Sequence, residues 1–127
     1  MTVLLSIKPE FAEKIFNGTK KFEFRKSLFK RRDIQTVIVY ASFPIQKIIG
    51  EFQIEEVLND YVEKIWEKTH QHSGISKEFY QMYFRHKEKA YAIKVGKVKK
   101  YRKQKTLKDF KLDFAPQSFV YIDKNLL

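Results

Sequence analysis

A chain of 127 residues is the size of one compact domain, and its 43% hydrophobic and 16% aromatic content argues for a packed core rather than disorder. The absence of cysteine excludes structural disulfides and thiolate metal sites. A formal net charge of +11 favours a polyanion as partner over the bland alternative of a generally soluble, lysine-rich protein.

The opening "MTVLLSIKPE" reads as a short strand, Val3–Ile7, running into a helix start rather than as a signal peptide. No segment holds the ~20 apolar residues of a spanning helix, so a cytoplasmic protein without membrane contact is expected. Pro9 suits the first helical turn, where its missing N–H costs nothing. Phe11, Ala12, Ile15 and Phe16 share one apolar face, and Gly18 follows where a left-handed residue ends a helix, which bounds it at 9–17. Lys21–Lys26 alternates as a strand, with Phe22 and Phe24 on one face and Glu23 and Arg25 on the other. Ile34–Ala41 is apolar on both faces and predicts an interior strand.

Lys47–Leu58 predicts a long strand, bent or bulged at Gly50. Asp60–Thr69 reads as a helix burying Val62, Ile65 and Trp66. A second helix runs from Ser76, its N-cap, to about Arg85, and is expected to bury Phe79, Met82 and Tyr83. Ala90–Val98 alternates as a strand, the lysine-rich run after it reads as a loop, and Ser118–Ile122 forms a closing strand. The order is α+β in a single domain, 1–127, and a small closed or nearly closed barrel with helices in its connections best manages so many short strands. A helix-turn-helix reader is disfavoured, because the two adjacent helices belong to an acidic stretch.

Charge is unevenly placed. Residues 94–111 hold nine Lys or Arg and one Asp, and residues 19–32 hold seven Lys or Arg and one Glu. Residues 51–67 carry six acids against one Lys, a surface open to a protein partner. Two basic segments beside an acidic one predict a dipolar surface that takes a polyanion on one side. Lys97, Lys99, Lys100, Arg102, Lys103 and Lys105 suit phosphate neutralisation, which discriminates little between sequences. Tyr101 among them either stacks on a base or covers the core edge. Lys30, Arg31 and Arg32 either extend this footprint or form a solvated turn. Three histidines, His70, His72 and His86, are thin material for a metal site, and no cofactor is expected.

The stretch "NGTKKFEFR" sets Glu23 among cations. Three roles are open to it: a catalytic carboxylate, an ion-pair partner that orients Lys20 or Arg25, or one charge on a solvated strand face. Flanking cations favour the ionised form, which suits an orienting group better than a general acid.

Gly18-x-Lys20-x-x-Glu23-x-Arg25 resembles the G-x-K-x-x-E-x-R signature of the ASCH domain family, a branch of the PUA-like superfamily. The phrases "LLSIKPEFAEKIFNGTKKFEFRK", "VIVYASFPIQKIIGEF", "YAIKVG" and "APQSFVYI" are similar to it in the same order, and look like stand-alone ASCH proteins of the predicted transcriptional-regulator type. The resemblance implies a PUA-like β-barrel, and a cleft lined by Lys20, Glu23 and Arg25 that takes RNA or a nucleotide-like ligand. Ser6 and Lys8 at the end of the first strand, Tyr40 and Ser42 at the end of the third, and Gln117 and Ser118 before the last are further cleft candidates. For each tyrosine or serine a core or turn role competes.

Some ASCH proteins are small amidohydrolases acting on acetylated cytidine, with a lysine, a threonine and a glutamate as the proposed catalytic set. Lys20 matches the lysine, but Glu23 stands at the threonine position and Ser73 aligns with the glutamate. Covalent catalysis needs an activated nucleophile, so that activity is not expected to transfer. Ribonuclease activity in other members asks less: a base for the 2′-hydroxyl and a cation for the phosphorane. Lys20, Glu23 and Arg25 together supply both if the surroundings raise the Glu23 pKa, which the nearby cations oppose; Lys20 and Glu23 are the catalytic candidates, and His72 is either an acid/base partner or a surface histidine. The leading expectation is a nucleic-acid-binding module in a regulatory setting. The alternative is a metal-independent ribonuclease or nucleoside amidohydrolase-like enzyme using the same cleft.

Overall fold

The computed structural model describes residues 1–123. In chain order the elements are β1 (Thr2–Ile7), α1 (Pro9–Phe16), β2 (Phe22–Arg25), β3 (Thr36–Ala41), β4 (Lys47–Tyr61), α2 (Val62–Thr69), α3 (Lys77–Tyr83), β5 (Lys89–Lys105) and β6 (Phe119–Ile122). Short 3-10 turns lie at His70–His72 and Leu107–Phe110.

The α+β class holds: the strands form one sheet in the order β2-β5-β4-β3-β1-β6, parallel between β1 and β3 and antiparallel elsewhere. The sheet is not closed, which corrects the expected barrel. Its margins, β2 and β6, share no backbone ladder among the described residues. With four residues, β2 pairs with β5 alone. A side chain crosses the gap instead. Arg25 donates from Nη2 to the Ser6 carbonyl at the end of β1 (2.8 Å) and from Nη1 to Ser118 Oγ just before β6 (3.3 Å).

The central strands are buried on both faces, as an apolar two-sided run requires. Val3, Leu5, Val37 and Val39 face α1, where Ala12 and Ile15 meet them, while Leu4, Ile38 and Ile48 face Phe110 and Ile122. Each such side chain contributes about 2 kcal/mol by leaving water. A third cluster gathers Phe22 and Phe24 of β2 with Ile65 of α2 and Tyr80 and Phe84 around α3. The break at Gly50 appears as a register shift in the β4–β5 ladder between Ile48 and Gly50. A Cβ there would lie 2.6 Å from both the Phe16 ring and the Lys99 carbonyl.

Two local expectations fail. The lysine-rich segment is not a loop, because β5 runs on to Lys105 against an equally extended β4, with Glu51 opposite Lys99 and Glu56 opposite Lys94. Across this ladder Lys94 pairs with Glu55 at 3.5 Å and the Tyr101 hydroxyl donates to Glu51 at 2.8 Å, contacts that exist only once the two stretches lie side by side. The acidic 51–60 stretch therefore lies alongside the basic one as its neighbouring strand rather than on a separate side. In α3, Tyr80 and Phe84 take the core face and Met82 is 72% exposed, whereas Phe79 and Tyr83 turn along a second, half-buried face. That second face belongs to the site.

Candidate functional site

At one end of the sheet a cleft of about 400 Å³ opens between α1, β2 and α3. Lys20, Glu23, Phe24 and Arg25 line its base; Ser6, Ile7, Lys8 and Phe11 form one wall; Ile75, Phe79 and Tyr83 form the other; Ser42 and Gln117 complete the lining.

The turn after α1 delivers Lys20. Gly18 takes φ +87°, and the Lys20 amide donates to the Lys14 carbonyl at 3.0 Å, while Lys21 N donates to the His72 carbonyl at 2.8 Å. The Lys20 side chain is 1% exposed, and its Nζ donates to the Ser73 carbonyl at 2.7 Å. The ammonium also sits 4.8 Å from the Phe24 ring centroid and 5.2 Å from that of Phe11, within cation–π range. Burial pushes the Lys20 pKa down to about 8; Glu23 opposes this, and Lys14 and Arg25 add to it. Gly74, at φ +71°, crosses so close to the Lys20 stem that a Cβ would lie 2.6 Å from Lys20 Cβ.

Glu23 and Arg25 leave β2 on the same side, as residues two apart on a strand do. Both are nearly buried, 7% and 8% exposed, and Glu23 Oε2 lies 3.2 Å from Arg25 Nη2. The face is therefore no solvated one. With Ser6 and Ser118 also engaged, the guanidinium still has Nε buried and without a hydrogen-bond partner among the described residues. A buried donor left in this state costs free energy until an acceptor meets it. Tyr83 donates its hydroxyl to the Phe24 carbonyl at 3.4 Å, and its ring stacks on Phe79, 6.4 Å apart and 10° from parallel.

Of the residues singled out in the sequence, Ser6, Lys8, Lys20, Glu23, Arg25, Ser42 and Gln117 line the cleft, and Ser118 binds Arg25 beside it. Lys8 Nζ lies 5.1 Å from the Phe79 ring centroid. Tyr40 does not join them: it is buried with Leu4, Ile38 and Ile48 in the core. Lys99, Lys100, Tyr101 and Arg102 lie elsewhere, along β5, and line a separate groove. Tyr101 packs inward against the core cluster and donates to Glu51 at 2.8 Å, which fits its core-edge role. His72 is exposed and outside the lining, and Ser73 is buried with its hydroxyl bonded to the His70 and Ile75 carbonyls. Among the described residues no three His, Cys, Asp or Glu side chains are grouped to hold a metal ion.

The aromatic walls escaped the sequence reading. Phe79 and Tyr83, four apart on a helix, give the same periodicity whether they face a core or a cleft.

The family model for the ASCH domain matches residues 5–99. This chain belongs to the ASCH domain family. It is 28% identical over 124 residues to an ASCH domain-containing ribonuclease of Zymomonas mobilis, covering 95% of this chain and 84% of that protein. The crystal structure of the ASCH protein from Zymomonas mobilis superposes with a TM-score of 0.90 at 27% identity, over 98% of this chain and 90% of that one. Two relatives in Ureaplasma parvum are longer. The ASCH chain is 35% identical over 123 residues to a protein named ATP synthase subunit alpha, and 31% identical over 121 residues to large ribosomal subunit protein uL22. It covers 95% of itself in both matches but spans only 15% and 39% of those proteins.

Proposed function

We propose that this ASCH domain binds RNA and holds one nucleotide in the cleft. The reading rests on Arg25, a buried guanidinium fixed by Glu23, Ser6 and Ser118 whose Nε has no hydrogen-bond partner among the described residues. Phosphate oxygens are the acceptors that match a planar, permanently charged guanidinium. Phe11, Phe79 and Tyr83 make the lining aromatic, as a base-binding site requires, and a cleft of about 400 Å³ suits one nucleotide rather than a duplex. Glu23, within the same lining, is an acceptor for a ribose hydroxyl, the group that separates RNA from DNA. The ribonuclease name of the Zymomonas relative and the ribosomal name of one Ureaplasma relative support an RNA setting. Titrating a 5′-mononucleotide and a short RNA into the wild type, Arg25→Ala and Phe79→Leu tests this. At least tenfold weaker binding is expected in both variants, and wild-type affinity in a folded Arg25→Ala protein sinks the reading.

RNA cleavage is the second reading, favoured by a buried Lys20 that releases its proton near pH 8. In that scheme the neutral amine takes the 2′-hydroxyl proton and the 2′-oxygen attacks the adjacent phosphorus. The 5′-oxygen leaves with a proton from solvent, and a 2′,3′-cyclic phosphate forms. Arg25 supplies charge to the phosphorane. Labelled RNA incubated with the wild type, Lys20→Ala and Glu23→Ala decides it: equal cleavage by all three places the activity outside this cleft. Binding without cleavage leaves a regulatory module, the transcriptional role that the sequence resemblance implies.

A further inference from the structure

The second half of β5 forms a cationic surface that the cleft does not use. The β2 ladder ends at Phe22 opposite Lys94, and beyond it no strand pairs with the outer side of β5 among the described residues. Along this open edge Lys97, Lys99, Lys100, Arg102 and Lys103 are exposed and Lys105 is half-buried. Among the described residues none of the six is in an ion pair. Glu51 accepts from the Tyr101 hydroxyl at 2.8 Å, and Asp109 accepts from the Thr106 amide at 2.8 Å in a capping box. Residues 99–103 and Lys105 line, with Glu51, a groove of about 490 Å³.

Lysines on an open strand edge do keep other chains from pairing with it. Glutamates would serve that end equally, and mixed signs would do so without the mutual repulsion of six like charges within nine residues. The uniform sign calls for a different cause.

We infer that this edge binds the phosphodiester backbone of an RNA longer than the nucleotide in the cleft. Lys100 pairs with Gly50, Gly50 with Val39 and Val39 with Leu5, so three strand spacings of ~4.8 Å, about 15 Å, part it from the residue before Ser6 in the cleft wall. An RNA that continues out of the cleft can run onto this edge. The contacts neutralise phosphates and read no bases.

The test compares a single-stranded RNA of about 20 nucleotides with a 5′-mononucleotide. Both are titrated at several salt concentrations into the wild type, Arg25→Ala, and two quadruple variants at Lys99, Lys100, Arg102 and Lys103, one all Gln and one all Glu. At about 0.7 in log–log slope per phosphate neutralised, the Gln variant is expected to lose about 3 from the salt slope of the long RNA. Its affinity at low salt falls at least tenfold, the Glu variant binds more weakly still, and mononucleotide binding stays as in the wild type. An unchanged slope in a folded Gln variant overturns the inference, and aggregation of that variant but not of the Glu variant then returns the charges to edge protection. Tighter wild-type binding to anionic phospholipid vesicles than to RNA also overturns it. Failure of the mononucleotide to bind any of the proteins, with the strand-dependent slope intact, removes the cleft reading alone.

Discussion

Glu23 Oε2 lies 3.2 Å from Arg25 Nη2, two residues away on one strand, with both side chains about nine-tenths buried. A pair in this position differs from a surface bridge. Removing one partner leaves the other charge desolvated, which costs about 3 kcal/mol, whereas exposed pairs cost less than about 1. Glu23→Gln is therefore expected to lower the unfolding free energy by about 3 kcal/mol in urea titrations. A loss below about 1 kcal/mol would place the pair with the exposed bridges.

Arg25 also ties together the two margins of an open sheet. Its fork reaches Glu23, the Ser6 carbonyl and Ser118 at once, a geometry that a lysine ammonium on a flexible stem does not reproduce. Arg25→Lys keeps the charge, so its expected cost is that of lost charge-assisted hydrogen bonds, about 2 kcal/mol. The loss should be local. The Ser6 amide, which donates to the Ser118 carbonyl at 3.1 Å, is expected to exchange its hydrogen faster than core amides of β3. Wild-type protection at Ser6 would show that the end of the β1–β6 pairing holds without the Arg25 fork.

Two glycines with positive φ separate backbone strain from contact. Gly18 at +87° has nothing within 4 Å of a would-be Cβ, so Gly18→Ala should cost only the left-handed backbone, about 1 kcal/mol. Gly74 at +71° adds an overlap with the Lys20 stem, whose amine is anchored on the neighbouring Ser73 carbonyl. Gly74→Ala should therefore cost roughly twice as much or more, and weaken nucleotide binding as well. Equal costs in thermal unfolding would show that the stem moves aside freely.

The same contact shows why only part of the site was legible in the sequence. Lys20, Glu23 and Arg25 follow from local spacing: a glycine that ends α1, and a strand on which alternate residues share a face. Most strands and helices followed from the same local rules, although β4 runs on through Asp60 and Tyr61, where the helix was expected to have begun. The partners of those side chains did not. Ser73 lies 53 residues from Lys20 and Ser118 lies 93 from Arg25, and no short-range pattern encodes such meetings. The lysine run was read as a loop for a related reason. Its strand state depends on the ladder it makes with β4, a strand distant in sequence, not on its own propensity. Closure failed likewise, since strand count alone does not say whether β2 and β6 meet.

Lys20 gives the pH test. In the unfolded chain it titrates at its ordinary 10.5, and in the folded chain burial brings it down to about 8. Between these values the unfolded chain holds a proton that the folded chain has released, so stability rises with pH across the window. Below pH 8 both states carry the charge and its burial cost is fully present; above 10.5 both are neutral and the cost is gone. The shift corresponds to something on the order of 3 kcal/mol, reduced in practice by the hydrogen bond to Ser73 and the two ring contacts that the ammonium makes. Lys20→Met keeps the stem and removes the charge. At pH 7 it is expected to be more stable than the wild type, and the gap should close as pH rises from about 8 towards 10.5. Urea unfolding of both proteins across that range measures the difference and cancels the titration of groups they share. A gap that does not change with pH would mean that Lys20 titrates alike in both states. The cleavage reading would then lose its base, because an amine with an ordinary pKa stays protonated at neutral pH and cannot accept the 2′-hydroxyl proton.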